Sequence, residues 1–408
     1  GGGGDPVITG FRCAVCGATV DVAAAFPWRC PKATVADPYH VLHLVDDGVV
    51  TDDAEDANPF VRYGRRLAWW AFARANGMSD SDCTALTHAV AEGFTTTPFG
   101  PSDPLSAELD HDTWVKDETD NVAGSHKARH LLPILLHLRA AEELGLLPVR
   151  APLAIASCGN AAIAAATLAQ RVEWPIDVFV PTWMSADVGQ LLDRLGARIN
   201  VCERRAADPP GDPAMLRCRE AVATGSIPFT VQGPENALCL DGGRTLGWEI
   251  GAALPAGGGP WRAIVQVGGG ALAACVGAGL GPAVRLDTVQ AEGCAPLAAA
   301  WNRLAGRQHP ERDWPDVMRA WPEPRSLADG ILDDETYDWI ADVEAMRVSG
   351  GHPIIAAESD IVRAHALATA AGFDVSATGS AGLAGALAAR DELAGDERLI
   401  VVMSGVAR

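Results

Sequence analysis

The sequence is short of positive charge. It carries 32 Lys and Arg residues against 52 Asp and Glu residues, which gives a formal net charge of −20 at pH 7. Nucleic acids and anionic membranes are bound through basic surfaces that neutralise phosphates or lipid headgroups. We therefore expect neither a nucleic acid nor a membrane as partner, and the charge imbalance carries no information about the fold.

The sequence also lacks an uninterrupted hydrophobic run long enough to cross a membrane, which takes about 20 apolar residues. Residues 263–286 are nearly all apolar, but six glycines divide them into a strand, a turn and a helix of small residues. The first ten residues have neither the basic region nor the apolar region of an export signal. We therefore expect a cytoplasmic protein.

The ten cysteines lack the dense, regular spacing of a disulfide-stabilised fold, so reduced thiols are expected. Cys13 and Cys16 form a C-x2-C-G pattern, and with Cys30 they have the spacing of a zinc knuckle. A closed structural site needs four ligands, and His40 or His43 would have to supply the fourth. We expect a degenerate zinc ribbon without metal, and a zinc-binding ribbon is the alternative.

Short β-branched runs alternate with longer helical patterns over most of the chain. Because parallel strands are joined through crossover helices, this alternation predicts an α/β fold with two open, twisted, mostly parallel sheets flanked by helices. We expect three parts: an N-terminal Cys-containing extension, residues 1–57; a large domain, residues 58–145 and 246–408; and a smaller mobile α/β domain, residues 146–245.

Gly268, Gly269 and Gly270 lie between an apolar strand and a helix of small residues. In open parallel sheets, ligands bind beyond the carboxyl ends of the strands. Without Cβ atoms, the backbone can turn its N–H groups towards an anion at the start of the helix. Each hydrogen bond to a charged oxygen contributes about 1.5–3 kcal/mol, so three or four N–H groups favour a phosphate. The alternative is that the glycines serve close helix–sheet packing alone.

The glycine triplet fits a second pattern as well. Together with Ala273 it matches G-x-G-x-x-G/A, the dinucleotide-binding fingerprint, and Glu292 follows as a candidate ribose ligand. This predicts a nicotinamide-dependent oxidoreductase as the alternative function. The fingerprint gives no role to Lys127, Asn160 or Ser404.

Pyridoxal phosphate explains those three residues better, because the cofactor needs an amine, a phosphate cup, and partners for its phenolic oxygen and ring nitrogen. Lys127 precedes the apolar segment LLPILLHL, where partial burial favours a neutral, nucleophilic amine. The motifs KDETDNVAGSHKAR, SCGNAAIAAA, VGGGALAA and VVMSG follow in that order. In this ordered set, over about residues 90–408, the chain resembles the fold-type II pyridoxal-phosphate enzymes, the tryptophan synthase β-subunit superfamily. Within it, the chain is most similar to threonine synthases and threonine/serine dehydratases.

The resemblance implies a role for each motif. Lys127 would form the Schiff base with the cofactor and move protons, Asn160 would hydrogen-bond the phenolic oxygen, and Ser404 would face the ring nitrogen. Two further groups are implied. The phosphate would be held by Gly268, Gly269, Gly270, Ala271 and Leu272, and the substrate by Ser125, Ser157, Cys158, Gly159 and Asn160.

The chain also departs from the family pattern. His126 stands where many members have Phe, and we expect it to orient the site, with acid–base catalysis as the alternative. Ala128 replaces the Asp that follows the lysine in threonine synthases, so the resemblance does not by itself imply their phosphohomoserine specificity. The resemblance implies a homodimeric lyase that performs β-elimination, or β- or γ-replacement, on a small polar amino acid.

Overall fold

Strands followed by helices alternate through most of the chain, as the sequence predicts. The computed structural model describes residues 7–48 and 53–408. Residues 1–6, which are among the ten residues used for the expectation about an export signal, lie outside the described ranges. The described residues form two compact units, and each is considered by itself. The first contains the described residues up to Thr95 together with Lys127–Gly242, and the second contains Thr96–His126 together with Gly243–Arg408.

Thirteen strands occur in the described part of the chain. They are β1 (Ile8–Cys13), β2 (Thr19–Asp21), β3 (Leu42–Asp46), β4 (Phe99–Pro101), β5 (Thr113–Asp117), β6 (Leu153–Ala156), β7 (Ile176–Pro181), β8 (Arg198–Cys202), β9 (Ile227–Pro228), β10 (Trp261–Gln266), β11 (Arg285–Ala291), β12 (Pro353–Ala356) and β13 (Arg398–Met403).

Sixteen α-helices occur over the same described ranges, and none of them is long and apolar enough to cross a membrane. They are α1 (Pro59–Arg62), α2 (Ala68–Ala75), α3 (Asp80–Val90), α4 (Asp103–Leu109), α5 (Lys127–Glu143), α6 (Asn160–Arg171), α7 (Ala186–Arg194), α8 (Pro213–Ala223), α9 (Cys239–Gly242), α10 (Arg244–Ala253), α11 (Ala271–Leu280), α12 (Pro296–Arg303), α13 (Trp314–Val317), α14 (Trp339–Ser349), α15 (Glu358–Ala370) and α16 (Ala381–Ala388).

The first unit contains two sheets. An antiparallel sheet of order β2-β1-β3 is formed by the N-terminal residues, and a parallel sheet has the order β8-β7-β6-β9. Helices α6 and α8 pack on the parallel sheet, and β6 is buried at every position. Helix α5 packs against α2, α3, α6 and α9, so most of its surface lies in the core of this unit.

The second unit is built on a six-stranded sheet of order β12-β11-β10-β13-β5-β4, in which all neighbours are parallel except β4 and β5. Helix α16 packs on four of the strands, and α11 and α14 also cover the sheet. The central strand β10 is buried at every position, which is typical of a parallel sheet with helices on both faces.

Three segments leave neighbouring strands of this sheet at the same edge. Strands β5, β13 and β10 are adjacent and parallel, so their carboxyl ends point the same way. Residues 118–126 follow β5, Ser404 follows β13, and Gly268–Gly270 follow β10. The sheet therefore brings together three motifs that are far apart in the sequence, at the edge where parallel sheets bind ligands.

The compact units divide the chain differently from the expected domains. Residues 58–95 and 127–145, which the sequence analysis assigns to the large domain, belong to the first unit together with the four-stranded sheet. The physical reason is the apolar surface of α5, which packs against α2 and α3 before it and α6 and α9 after it. The positions of these segments in the sequence gave no indication that they pack together.

Gly242 permits a close approach to helix α5. Pro133, in the middle of α5, has no N–H group to donate to the carbonyl oxygen of Arg129 one turn earlier. A Cβ atom on Gly242 would lie 2.6 Å from Cγ of Pro133, and closer still to the Arg129 carbonyl oxygen. A side chain at position 242 would therefore push α9 away from the turn of α5 that begins just after Lys127.

We expect Gly242→Ala to lower the free energy of unfolding by about 1–3 kcal/mol, the usual cost of overpacking a buried site. The measurement is chemical denaturation. Gly251→Ala is the matched control, because this exposed helical position would place its Cβ near nothing but Leu280, at 3.9 Å. The control should be neutral or slightly stabilising. Equal effects of the two substitutions would contradict the close approach.

Candidate active site

The glycine loop of the second unit presents its backbone N–H groups at the start of α11. Gly270 has a φ of +98°, in the left-handed region where glycine is favoured. No backbone carbonyl among the described residues accepts a hydrogen bond from the N–H groups of Gly268, Gly269 or Gly270. Because buried N–H groups are nearly always paired, this loop is suited to hold the oxygens of an anion.

The same glycines are also needed for packing, so the two interpretations of the sequence are compatible. A Cβ on Gly268 would lie 2.8 Å from Oδ2 of Asp333, and one on Gly270 would overlap the carboxyl group of Asp342. A Cβ on Gly269 would make only ordinary contacts, the nearest at 3.5 Å to Tyr337. Packing therefore explains two of the three glycines.

Asp342 is an acidic side chain beside the loop that no sequence pattern revealed. It is fully buried in α14, and neither carboxyl oxygen has a hydrogen-bond partner in the described part of the chain. Burial, followed by the nearby Asp338 carboxylate, raises the pKa of Asp342 well above its usual range. Burial therefore favours the neutral form of this side chain, which repels an anion held by the loop less than a carboxylate would.

Ser404 is held by Gln266, the last residue of β10. The side-chain nitrogen of Gln266 donates to Oγ of Ser404 at 2.9 Å, and it faces the carbonyl oxygens of Gly379 at 2.9 Å and Val402 at 3.1 Å. Since those carbonyls only accept, the nitrogen of the amide must point towards them. The Ser404 oxygen is thus an acceptor for Gln266, and its own hydrogen can be donated elsewhere.

The segment after β5 is joined by backbone hydrogen bonds to the end of β13. The N–H of Glu118 donates to the Met403 carbonyl at 2.9 Å, and the N–H of His126 donates to the Ser404 carbonyl at 3.0 Å. Ser125 also forms a bridge with Gly405. The residue directly before Lys127 in the chain is therefore fixed to the backbone of Ser404.

Lys127 is the lysine whose position suits attachment of a cofactor. The chain has three lysines. Lys32 is exposed in the N-terminal sheet region, and Lys116 is fully buried, with its ammonium 2.9 Å from Oε1 of Glu249 and 2.8 Å from the Thr97 carbonyl oxygen. Lys127 is half-buried and is the first residue of α5.

The loop after β6 carries the expected substrate-binding residues. Oγ of Ser157 accepts hydrogen bonds from the N–H groups of Gly159 and Ala162, both at 3.3 Å, and so caps the start of α6. Asn160 is the first residue of that helix, and Cys158 is half-buried. Helices α5 and α6 pack together within the first unit, so this unit contains both Lys127 and Asn160 at helix starts.

Residues 90–405 match the family described as pyridoxal-phosphate dependent enzymes. The chain belongs to this family. No curated protein matches the sequence. Three solved structures illustrate the shared fold. A threonine deaminase from T.th. is 24% identical with a TM-score of 0.61, and the match covers 81% of this chain and 98% of that one.

Serine racemase from Dictyostelium discoideum is 16% identical with a TM-score of 0.62, and the match covers 80% of this chain and 98% of that one. An O-ureido-L-serine synthase is 20% identical with a TM-score of 0.61, and the match covers 76% and 89% of the two chains. At these identities the likeness shows the fold alone, which is the fold-type II architecture predicted from the sequence. The three names also differ in reaction, so the fold does not select one.

The chain is therefore a pyridoxal-phosphate enzyme, and its residues fit that cofactor. The N–H groups of the glycine loop have no backbone acceptor among the described residues and could hold a phosphate, and the Ser404 oxygen accepts from Gln266, which leaves its hydroxyl hydrogen to donate. Glu292, the candidate ribose ligand of the oxidoreductase alternative, accepts a hydrogen bond from the N–H of Glu358 at the start of α15. Two observations therefore speak against the nicotinamide-dependent oxidoreductase. Glu292 already has a structural partner, and the family that matches the chain is that of pyridoxal-phosphate dependent enzymes.

Two residues of this site were missed by the sequence analysis. Gln266 could have been noticed, because it is an amide that ends an otherwise mostly apolar strand directly before the glycines. Asp342 lies about seventy residues beyond the loop, and no local pattern marks it.

Among the metal candidates, the structure groups Cys13, Cys16 and Cys30 with His40 and leaves His43 out.

His130 is a buried, uncharged neighbour of Lys127 on α5. Burial, followed by the positive charge of Lys127, lowers the pKa of His130 to about 3, although a hydrogen bond with the Cys239 carbonyl opposes the shift. The folded protein thus keeps this ring neutral at pH values where the unfolded chain, with a histidine pKa near 6.5, becomes protonated.

The free energy of unfolding should consequently fall as the pH is lowered from about 6.5 towards 4. His130 contributes up to about 1.4 kcal/mol to this fall for each pH unit, because the unfolded state binds a proton that the folded state does not bind. His130→Asn keeps a donor for the Cys239 carbonyl and does not titrate, so it should make this pH dependence shallower. His88→Asn, at an exposed position, is the control. An unchanged slope in His130→Asn would contradict the assignment.

Proposed function

We propose that the protein is a pyridoxal-phosphate-dependent lyase that acts on a small polar amino acid, with Lys127 as the attachment point of the cofactor and the base of the reaction. When bound, the cofactor supplies an electron sink that makes the α-proton of an amino acid removable. The proposal also includes a homodimer in the cytoplasm, which rests on the resemblance and the composition alone.

Lys127 would take the α-proton on its amine nitrogen and return a proton to the product or to the leaving group. Two observations support this role. The amines of the other lysines are committed to an ion pair or lie in the exposed N-terminal region. The start of α5 carries a partial positive charge, which disfavours an ammonium and favours the neutral amine that the reaction needs.

The observation that carries the choice of a lyase is the pair formed by Gln266 and Ser404. Ser404, whose oxygen accepts a hydrogen bond from Gln266, would donate its hydroxyl hydrogen to the ring nitrogen of the cofactor, and a hydroxyl, unlike a carboxylate, would not keep that nitrogen protonated. The electron sink is then moderate. A moderate sink suits departure of a leaving group from Cβ, because that step drains negative charge from the α-carbon as it forms.

The other residues would bind and orient. The N–H groups of the glycine loop would hold the phosphate, and Asn160 would hydrogen-bond the phenolic oxygen. Ser157, Cys158 and Gly159 would bind the substrate carboxylate at the start of α6; the Gly159 N–H would exchange its 3.3 Å bond with Ser157 for a stronger one to a charged oxygen. His126, buried and fixed through its backbone to Ser404, would orient Lys127.

The test is a screen of serine, threonine, O-acetylserine and O-phosphohomoserine against the purified protein with its cofactor. We expect at least one of them to release its β- or γ-substituent, with 2-oxo acid and ammonia, or a replacement product, as the readout. Lys127→Ala should lower that rate by about a hundredfold or more, the usual contribution of an acid–base group.

Lys32→Ala is the matched control, since it removes a lysine from the exposed region, and its rate should equal that of the unaltered protein. Chiral analysis of the recovered amino acid completes the design. Inversion of the α-carbon without loss of any substituent would contradict a lyase and would favour a racemase. Full turnover in Lys127→Ala would contradict the assignment of the base.

A further inference from the structure

The N-terminal sheet region contains four side chains arranged as a metal site. Cys13 lies at the end of β1, Cys16 in the following turn, Cys30 in the loop between β2 and β3, and His40 just before β3. One ligand atom from each of the four lies within 4.8 Å of every other. The sequence analysis counted three ligands and favoured a ribbon without metal; the structure supplies the fourth.

The distances between ligand atoms agree with a tetrahedral zinc ion. Sγ of Cys16 lies 3.5 Å from Sγ of Cys30, and Sγ of Cys13 lies 3.5 Å from Nδ1 of His40. Zinc bonds of about 2.3 Å to sulfur and about 2.0–2.1 Å to nitrogen place two tetrahedral ligands about 3.6–3.8 Å apart. A disulfide needs about 2.05 Å between the sulfurs, so the pair is not oxidised, and all ten cysteines are free.

The surroundings of the four ligands are also those of a metal site. Nε2 of His40 is 3.0 Å from Oδ2 of Asp37, so the ring donates its Nε2 hydrogen and directs the Nδ1 lone pair towards the sulfurs. Carboxylates hold metal-binding histidines in this way. The N–H of Lys32 donates to Sγ of Cys30 at 3.4 Å, which stabilises a thiolate.

We propose that Cys13, Cys16, Cys30 and His40 bind one structural zinc ion, with Asp37 as the outer partner of the histidine. On binding, the three thiols release their protons to solvent, and the four ligands close the coordination shell, so the ion has no open position for catalysis. The three thiolates and one imidazole exclude calcium and magnesium, which prefer oxygen ligands.

The ion would hold the loop between Cys16 and Cys30 against the core of the first unit. The carbonyl oxygen of Ala25 accepts a hydrogen bond from Nε2 of His137 at 2.6 Å, and the Trp28 indole contacts the edge of the same imidazole, with 5.3 Å between ring centroids. The Trp28 carbonyl accepts the N–H of Ala237 at 2.9 Å. His137 lies on α5, the helix that begins with Lys127, so zinc would stabilise the support of that helix.

The experiment is metal analysis of the full-length protein after purification and after dialysis against a defined amount of zinc. We expect one zinc per chain. Replacement by cobalt(II) should give the intense visible bands of a tetrahedral ion together with a sulfur-to-cobalt charge-transfer band. Sub-stoichiometric zinc together with the weak spectrum of octahedral cobalt would overturn the proposal, as would a Cys16–Cys30 disulfide in protein kept with zinc.

Variants separate metal binding from folding. Cys16→Ser alters the least buried ligand and should lower zinc affinity by at least about a hundredfold, whereas Asp37→Asn, which changes only the outer partner, should lower it by about 10–100-fold. His40→Cys offers a fourth sulfur and should retain the ion. Cys202→Ser, a buried cysteine outside the cluster, is the control and should bind zinc normally. Normal zinc binding by Cys16→Ser would overturn the assignment.

The structural role has its own readout. Protein stripped with a chelator should unfold at least about 5 °C below the zinc-loaded protein, because the ion binds the four arranged ligands of the folded state more tightly than the unfolded chain. The stripped Cys16→Ser variant should show no such response to added zinc. Equal melting of stripped and loaded wild-type protein, despite stoichiometric zinc, would overturn the proposed support of α5.

Discussion

The backbone ladder between the end of β13 and the segment before α5 is the interaction on which the rest of the site depends. Glu118 donates to Met403, and His126 donates to Ser404, so two strands that are neighbours in the sheet remain joined beyond their carboxyl ends. Each such hydrogen bond contributes only about 1 kcal/mol to stability. They matter because they fix the position of His126, the residue before Lys127, relative to Ser404.

The proposed site residues of the second unit are each held in place by a structural contact. The glycines allow the loop to pass close to Asp342, and their N–H groups donate to no backbone carbonyl of the described residues. Gln266 is fixed by backbone carbonyls and in turn fixes the hydroxyl of Ser404. A charged carboxyl beside an anion-binding loop would be unfavourable, and burial raises the pKa of Asp342, which favours its neutral form.

The sequence could predict the features of the protein that depend on short, local patterns of residues. The α/β fold predicted from the alternation of strands and helices is confirmed, and so is membership of the pyridoxal-phosphate family, which the ordered motifs indicated. Gln266, Asp342 and the contribution of His40 depend on contacts between distant segments, which no local spacing encodes. The packing of α5 with residues 58–95 was missed for the same reason. The apolar sequence of a buried helix indicates that it packs against other elements, but not which ones.

The central claim is that one amine, that of Lys127, carries the cofactor. Because the chain has three lysines, reduction of the cofactor-loaded protein with borohydride followed by peptide mapping tests it directly. We predict a stable pyridoxyl group on Lys127 and an unlabelled Lys32 and Lys116. A label on either of those two residues, or a bound cofactor that borohydride attaches to no lysine, would contradict the account.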